Sequence, residues 1–137
     1  LEPPTKPSLF EEAKLDKIVA NHIIDIKSTK KVAKLVNDIS PDFIFHLAAQ
    51  PLVKYSYSNP IETWQTNVIG TVNILDSLRL LNKKCISIII TSDKCYENQE
   101  WVWGYRESDR LGGGDPYSAS KGSAEIAFNS YFKSFCN

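Results

Sequence analysis

Residues 42–49, "DFIFHLAA", read as a buried β-strand that runs out into small residues. Phe43, Ile44, Phe45 and Leu47 form a near-continuous apolar run, the pattern of a strand covered on both faces. Pro41 in front of it stops any helix from running in. Ala48 and Ala49 then leave the backbone open to close approach. "CISIIITS" (85–92) is a second buried run of the same kind, and "HIIDI" (22–26) is a short β-branched stretch that reads as a third strand.

Helical patterns lie between and after these runs. "STKKVAKLVNDIS" spaces Val32, Leu35, Val36 and Ile39 as one helix face, with Ser28 as its candidate N-cap. From Ile61 to about Leu81, an apolar stripe joins Ile61, Trp64, Val68, Val72, Leu75 and Leu78. "FEEAKLDKIV" reads as a short helix. The proline-rich residues 1–9 and "QPLVKYSYSNP" read as loops, and "DKCYENQEWVWGYRESDRLGGG" as a long polar and aromatic loop. Asp115 caps a last helix whose first position is Pro116. Its apolar face holds Ala124, Ala127, Phe128, Tyr131, Phe132 and Phe135. This order predicts an α/β fold, a parallel sheet with helices on both faces, incomplete at both ends. Ligands bind such sheets at the carboxyl ends of the strands, here residues 25–26, 46–50 and 91–94.

The bulk properties narrow the function. The 137 residues suit one domain. Sixteen basic residues balance sixteen acidic ones, which argues against nucleic acid as a partner. Apolar content of 42% is enough for a packed core. No apolar run approaches the roughly 20 residues that span a bilayer, and no signal peptide is present, so no membrane partner is expected. Cys85, Cys95 and Cys136 lie far apart, odd in number and without a CxxC pair. That argues against a disulfide framework or a metal site and for a reduced, cytoplasmic compartment. The chain has no methionine and stops inside a helical pattern, so it is expected to be the interior of a longer polypeptide.

"GGGDPYSASKGSAE" (112–125) holds the first candidate chemistry. Tyr117 and Lys121 lie four apart on one helix face. A nearby ammonium favours the phenolate, which makes Tyr117 a proton acceptor for an alcohol. By spacing alone, the surface reading of a Tyr and a Lys on an amphipathic helix comes first; the upstream strand ending in "TSDKCY" and the glycine-rich loop favour the chemical one. Ser92, Asp93 and Lys94 leave a buried strand at its ligand edge. Ser92 can hold the hydroxyl that Tyr117 deprotonates, and Asp93 can act as general acid if burial raises its pKa; the alternative is an ordinary polar turn. His46 and His22 read as structural histidines. Asp25 at a strand end also fits a simple turn cap. Asn67 is a poor helix former in mid-helix, placed either to bond a neighbouring backbone or to shape the site. Trp101 and Trp103 form either a lid or local packing.

The motifs "HLAAQP", "NVIGTVNIL", "IIITSDKCY" and "DPYSASKGSAE", in this order, resemble the extended short-chain dehydrogenase/reductases that act on nucleotide sugars. The acid after Ser92 resembles their 4,6-dehydratases, and the loop from Thr91 to Lys121 looks most like the branch acting on CDP-glucose. The resemblance implies a Rossmann-type fold, NAD as cofactor, and a 4-keto-6-deoxy sugar as product. It implies that Tyr117 takes the 4-hydroxyl proton, Ser92 orients that hydroxyl, and Lys121 holds the nicotinamide ribose. Asp93 would protonate the departing 6-hydroxyl. Cofactor contacts would come from Asp25 and Ile26 near the adenine, from Leu47, Ala48, Ala49 and Gln50 along it, and from Asn67, Thr91, Tyr117 and Lys121. A homodimer would form through the helices at 61–81 and 116–135.

Three features depart from the family pattern. Lys94 stands where related dehydratases carry a glutamate base, so it serves as the carbon 5 base only with a strongly depressed pKa; otherwise another group does. "YE" (Tyr96, Glu97) replaces a Tyr-Gly pair. No glycine-rich pyrophosphate turn occurs in the 137 residues. The isolated chain is therefore expected to be an inactive part of an NAD-binding domain. Two alternatives stay open: an epimerase or reductase of the same family, and a non-catalytic binding or oligomerisation module.

Overall fold

The two apolar runs pair because each is a row of β-branched and aromatic residues with no helical period. In the computed structural model, which describes residues 5–136, β1 (Phe43–His46) and β2 (Ile86–Ile89) form a parallel ladder. Phe43 lies opposite Ile86 and His46 opposite Ile89. The Ile86 amide donates to the Asp42 carbonyl (2.9 Å) and the Ile90 amide to that of His46 (3.1 Å). The helices are α1 (Leu9–Glu12), α2 (Thr29–Ile39), α3 (Val53–Ser58), α4 (Pro60–Trp64), α5 (Gly70–Arg79) and α6 (Pro116–Phe135). A π-turn, Gln65–Ile69, joins α4 to α5. Among the described residues no helix is long and apolar enough to cross a membrane.

The parallel α/β arrangement is the expected one. Strand alternation sends Ile44, His46, Ser87 and Ile89 to one face, where α5 and α6 meet them. Phe43, Phe45, Ile86 and Ile88 point the other way and are 40–61% exposed. Among the described residues the helices therefore cover one face of the sheet. Helix α2 adds Val32 and Val36 to the core, stops at Ser40 in the left-handed region (φ 46°), and cannot continue through Pro41.

Several local expectations are corrected. "HIIDI" is not a strand: it forms no ladder among the described residues, and Asp25 turns the chain by accepting from the Lys27 amide (2.9 Å). "QPLVKYSYSNP" is not all loop, because Val53–Ser58 is helical. "FEEAKLDKIV" is broken at Lys14 (φ 50°) into α1 and a 3-10 turn, Leu15–Lys17. Ser28 occupies the N-cap position of α2 but its side chain makes no cap bond. The proline-rich start is described only from Thr5, with residues 1–4 outside the described range.

The segment around Ile26 is instead held by α5. Asn73 Nδ2 donates to the Ile26 carbonyl (2.8 Å) and Thr29 Oγ1 donates to Asn73 Oδ1 (2.9 Å). A Cβ on Gly70 would lie 2.6 Å from Ile26 Cδ1, so a larger residue there would push the Ile26 side chain aside. Asn73→Ala removes both bonds at a buried position and is expected to cost about 1–3 kcal/mol in urea unfolding. A loss below about 0.5 kcal/mol would mean that Asn73 does not hold this segment.

Candidate active site

Helix α6 begins with every first-turn donor accounted for. Pro116 has no N–H to satisfy. The Tyr117 amide donates to Ser56 Oγ of α3 (3.2 Å), and the Ser118 amide to Asp115 Oδ1 (3.0 Å). Tyr117 and Lys121 follow one turn apart, both buried, which rejects the reading of a surface pair. Lys121 Nζ donates to the carbonyl of Ile90 (3.4 Å), one residue beyond the last paired position of β2. Burial pushes the Lys121 ammonium below the usual lysine range.

A buried polar network surrounds this turn. Asn67, 2% exposed in the π-turn, accepts from the Gln50 amide at Oδ1 (2.8 Å). Its Nδ2 donates to the Gln50 carbonyl (3.1 Å) and to Ser120 Oγ (2.9 Å). Ser120 Oγ in turn donates to the Tyr117 carbonyl (2.7 Å). Asn67 therefore ties the end of the β1 loop to α6. Thr71 Oγ1 donates to the Asn67 carbonyl (2.7 Å), so it accepts from His46 Nε2 (3.1 Å). This assigns the neutral Nε2–H tautomer to His46, whose pKa is pushed down by burial and then by the Lys121 charge.

The candidate residues separate into groups. Asn67, Gln50, Ser120 and the backbone of Tyr117 belong to one bonded cluster, while Lys121 bonds to the Ile90 carbonyl. Ser92, Asp93 and Lys94 sit beyond the end of β2, where Ser92 Oγ accepts from the Lys94 amide (3.2 Å) and donates to Asp93 Oδ1 (3.0 Å). Asp93 and Lys94 are exposed. The Thr91 hydroxyl donates to the carboxylate of Glu125 on α6. Leu47 and Ala48 are exposed and Ala49 is half-buried. The backbone amides of these three form no hydrogen bond among the described residues, so they are free donors for a ligand along the strand edge. Asp25 closes its own turn, and Ile26 packs on Gly70.

The long loop is closed at its neck. The Gly112 amide donates to the Cys95 carbonyl (2.8 Å) and the Glu97 amide to that of Arg110 (2.9 Å). Beyond the neck, Tyr105 stacks on Tyr96 and meets Trp101, with 5.3 Å between ring centroids in each pair; Trp103 lies 5.8 Å from Trp101. Of the two readings, local packing fits these tryptophans, since their rings engage one another. A depression of about 570 Å³ outside α3, lined by Pro51, Leu52, Val53, Lys54, Tyr55 and Ser58, takes in none of the candidate residues.

Sequence reasoning missed Ser56, Thr71, Ser120 and Glu125. The available signal was a row of polar residues four apart, Thr63, Asn67 and Thr71, along one face of the helix. Because Lys121 is charged where charge is costly, Lys121→Met is expected to be more stable than the wild type near neutral pH. The unfolded chain binds this proton more tightly than the folded one, so wild-type stability rises with pH up to the ordinary lysine value, about 10.4. The advantage of the variant should shrink over that window in denaturant unfolding. A constant difference from neutral pH to pH 10 would contradict the assignment.

CDP-glucose 4,6-dehydratase of Salmonella typhimurium is 48% identical over 137 residues, covering 100% of this chain and 38% of that protein. CDP-paratose 2-epimerase of Salmonella typhi is 32% identical over 126 residues, 81% of this chain and 37% of that one. This chain thus spans well under half the length of these relatives. A double mutant of the dTDP-glucose 4,6-dehydratase DesIV from Streptomyces venezuelae, solved with NAD bound, superposes with a TM-score of 0.77. That match covers 90% of this chain and 38% of the other at 22% identity, and it shows the Rossmann-type fold. The model of the family described as GDP-mannose 4,6 dehydratase matches residues 7–136, nearly the whole chain, and the chain belongs to that family.

Proposed function

We propose that the protein carrying this chain dehydrates a nucleotide-diphosphate hexose, CDP-glucose, to the 4-keto-6-deoxy sugar with NAD as cofactor. The observation that carries the reading is Asp93. It places an acid beyond the carboxyl end of β2, beside Ser92 and past the Ile90 carbonyl held by Lys121. An epimerase or reductase has no use for an acid that protonates a leaving hydroxyl. The 48% identity to CDP-glucose 4,6-dehydratase supports the choice of base and sugar.

The free amides of Leu47, Ala48 and Ala49 fit a dinucleotide lying across the end of β1, with Asp25 and Ile26 toward its adenine. When bound, NAD would take hydride from carbon 4 of the sugar and return it at carbon 6. Tyr117 accepts the proton of the 4-hydroxyl, and Lys121 holds the nicotinamide ribose and the charge beside the phenol. Ser92 orients the hydroxyl. Asp93 donates a proton to the departing 6-hydroxyl once a closed site removes it from water. Lys94 is exposed, and it serves as the carbon 5 base only as the free amine, since an ammonium has no lone pair to accept a proton. Thr91 is assigned to structure rather than to cofactor binding. The pyrophosphate turn is not among the 137 residues, so this chain by itself is proposed to bind NAD weakly and to be inactive.

Two helices supply a surface for a homodimer. Ile61, Trp64 and Ile69 on one, and Ile126, Phe132 and Phe135 on the other, are 38–73% exposed. The three free cysteines accord with a cytoplasmic protein.

Incubating the complete gene product with CDP-glucose and NAD tests the reading. CDP-4-keto-6-deoxyglucose is expected, and Tyr117→Phe should lower kcat by about 10²- to 10⁴-fold. An epimerised CDP-hexose in place of the keto sugar would overturn the reading.

A further inference from the structure

Ser56 joins Tyr117 to the segment after β1, and nothing in the proposed chemistry uses it. Its side chain is fully buried. Ser56 Oγ accepts from the Tyr117 amide (3.2 Å) and donates to the Val53 carbonyl (2.7 Å). The hydroxyl has one proton, and that proton is spent on Val53, so toward Tyr117 it acts as an acceptor. Asp115 caps the next amide of α6 from within the same chain turn. Ser56 therefore gives the first turn of α6 a hydrogen bond from another element.

The other end of α3 is fixed as firmly. The Leu52 amide donates to Gln50 Oε1 (2.6 Å), and Gln50 Nε2 donates to the Leu52 carbonyl (3.1 Å) and to Thr63 Oγ1 (2.9 Å). The Gln50 backbone is clasped by Asn67. A short rigid path thus runs from the free amides at 47–49, through Gln50 and α3, to the backbone of Tyr117.

We propose that Ser56 is a positioning residue that sets Tyr117 against the 47–50 segment through its hydrogen bond to the Tyr117 amide. The proposal rests on the reading of Tyr117 as the proton acceptor, and its test separates the two. Loss of the acceptor leaves a buried amide unpaired, and the first turn of α6 shifts to satisfy it. Displacements of this size act on the reacting geometry rather than on substrate affinity.

The chain is labelled with ¹³C-tyrosine, and the Tyr117 ring signal is assigned by its loss in Tyr117→Phe. In Ser56→Ala that signal is expected to move while most other tyrosine signals stay. Ser56→Cys, similar in volume with a weaker acceptor, should fall between Ser56→Ala and wild type; it also serves as the readout if Ser56→Ala does not fold. In the complete gene product, kcat for the keto sugar should fall about tenfold or more with KM within about twofold. An unmoved Tyr117 signal in the folded variants would overturn the proposal, as would an unchanged kcat. If the wild type makes no keto sugar, the dehydratase reading fails, and the ring signal still decides the role of Ser56.

Discussion

One carboxamide closes the structure around its chemistry. Asn67 bonds both backbone groups of Gln50 and, with its remaining proton, the hydroxyl of Ser120. At 2% exposure it has no water to fall back on, so each bond lost leaves a buried polar group unpaired. The π-turn makes this possible. Closed by the Gly70 amide on the Gln65 carbonyl, it carries the buried Asn67, and the Thr71 hydroxyl donates to the Asn67 carbonyl. Such turns are rare and concentrate at functional sites.

The rod from Pro60 to Arg79 works as an organiser because its buried face is polar. Thr63 reaches Gln50, Asn67 reaches Gln50 and Ser120, Thr71 reaches His46, and Asn73 reaches Ile26. These contacts fall on two of the three candidate ligand-edge segments, 25–26 and 46–50, and on α6. Apolar contacts of the same area would hold the segments together without fixing their register, whereas directional bonds fix it. The buried ammonium of Lys121 is the cost of the arrangement, partly offset by the Ile90 carbonyl and by a histidine kept neutral beside it.

This explains which parts were legible in the sequence. The two apolar runs announced the parallel strands, and Asp115-Pro116 announced the start of α6. Tyr117 and Lys121 were visible as a pair by spacing, but their burial was not. The Ile61–Leu78 stripe marked a helix correctly yet misled about its face: Ile61 is 73% exposed, while Thr63 is fully buried. Periodicity scores apolar residues, so a helix that buries polar ones is read inside out. "HIIDI" had strand composition without a partner to pair with, and Ser56 lay in a segment read as loop. Its role depends on a contact 61 positions away, which local pattern cannot encode.

The central claim is that Asn67 and Ser120 act as one unit holding α6 to the β1 loop. A double-mutant cycle of Asn67→Ala and Ser120→Ala, read by denaturant unfolding, measures it directly. The account predicts a coupling of about 0.5–3 kcal/mol, as found for residues in one hydrogen-bond network. Additivity within about 0.3 kcal/mol would contradict it.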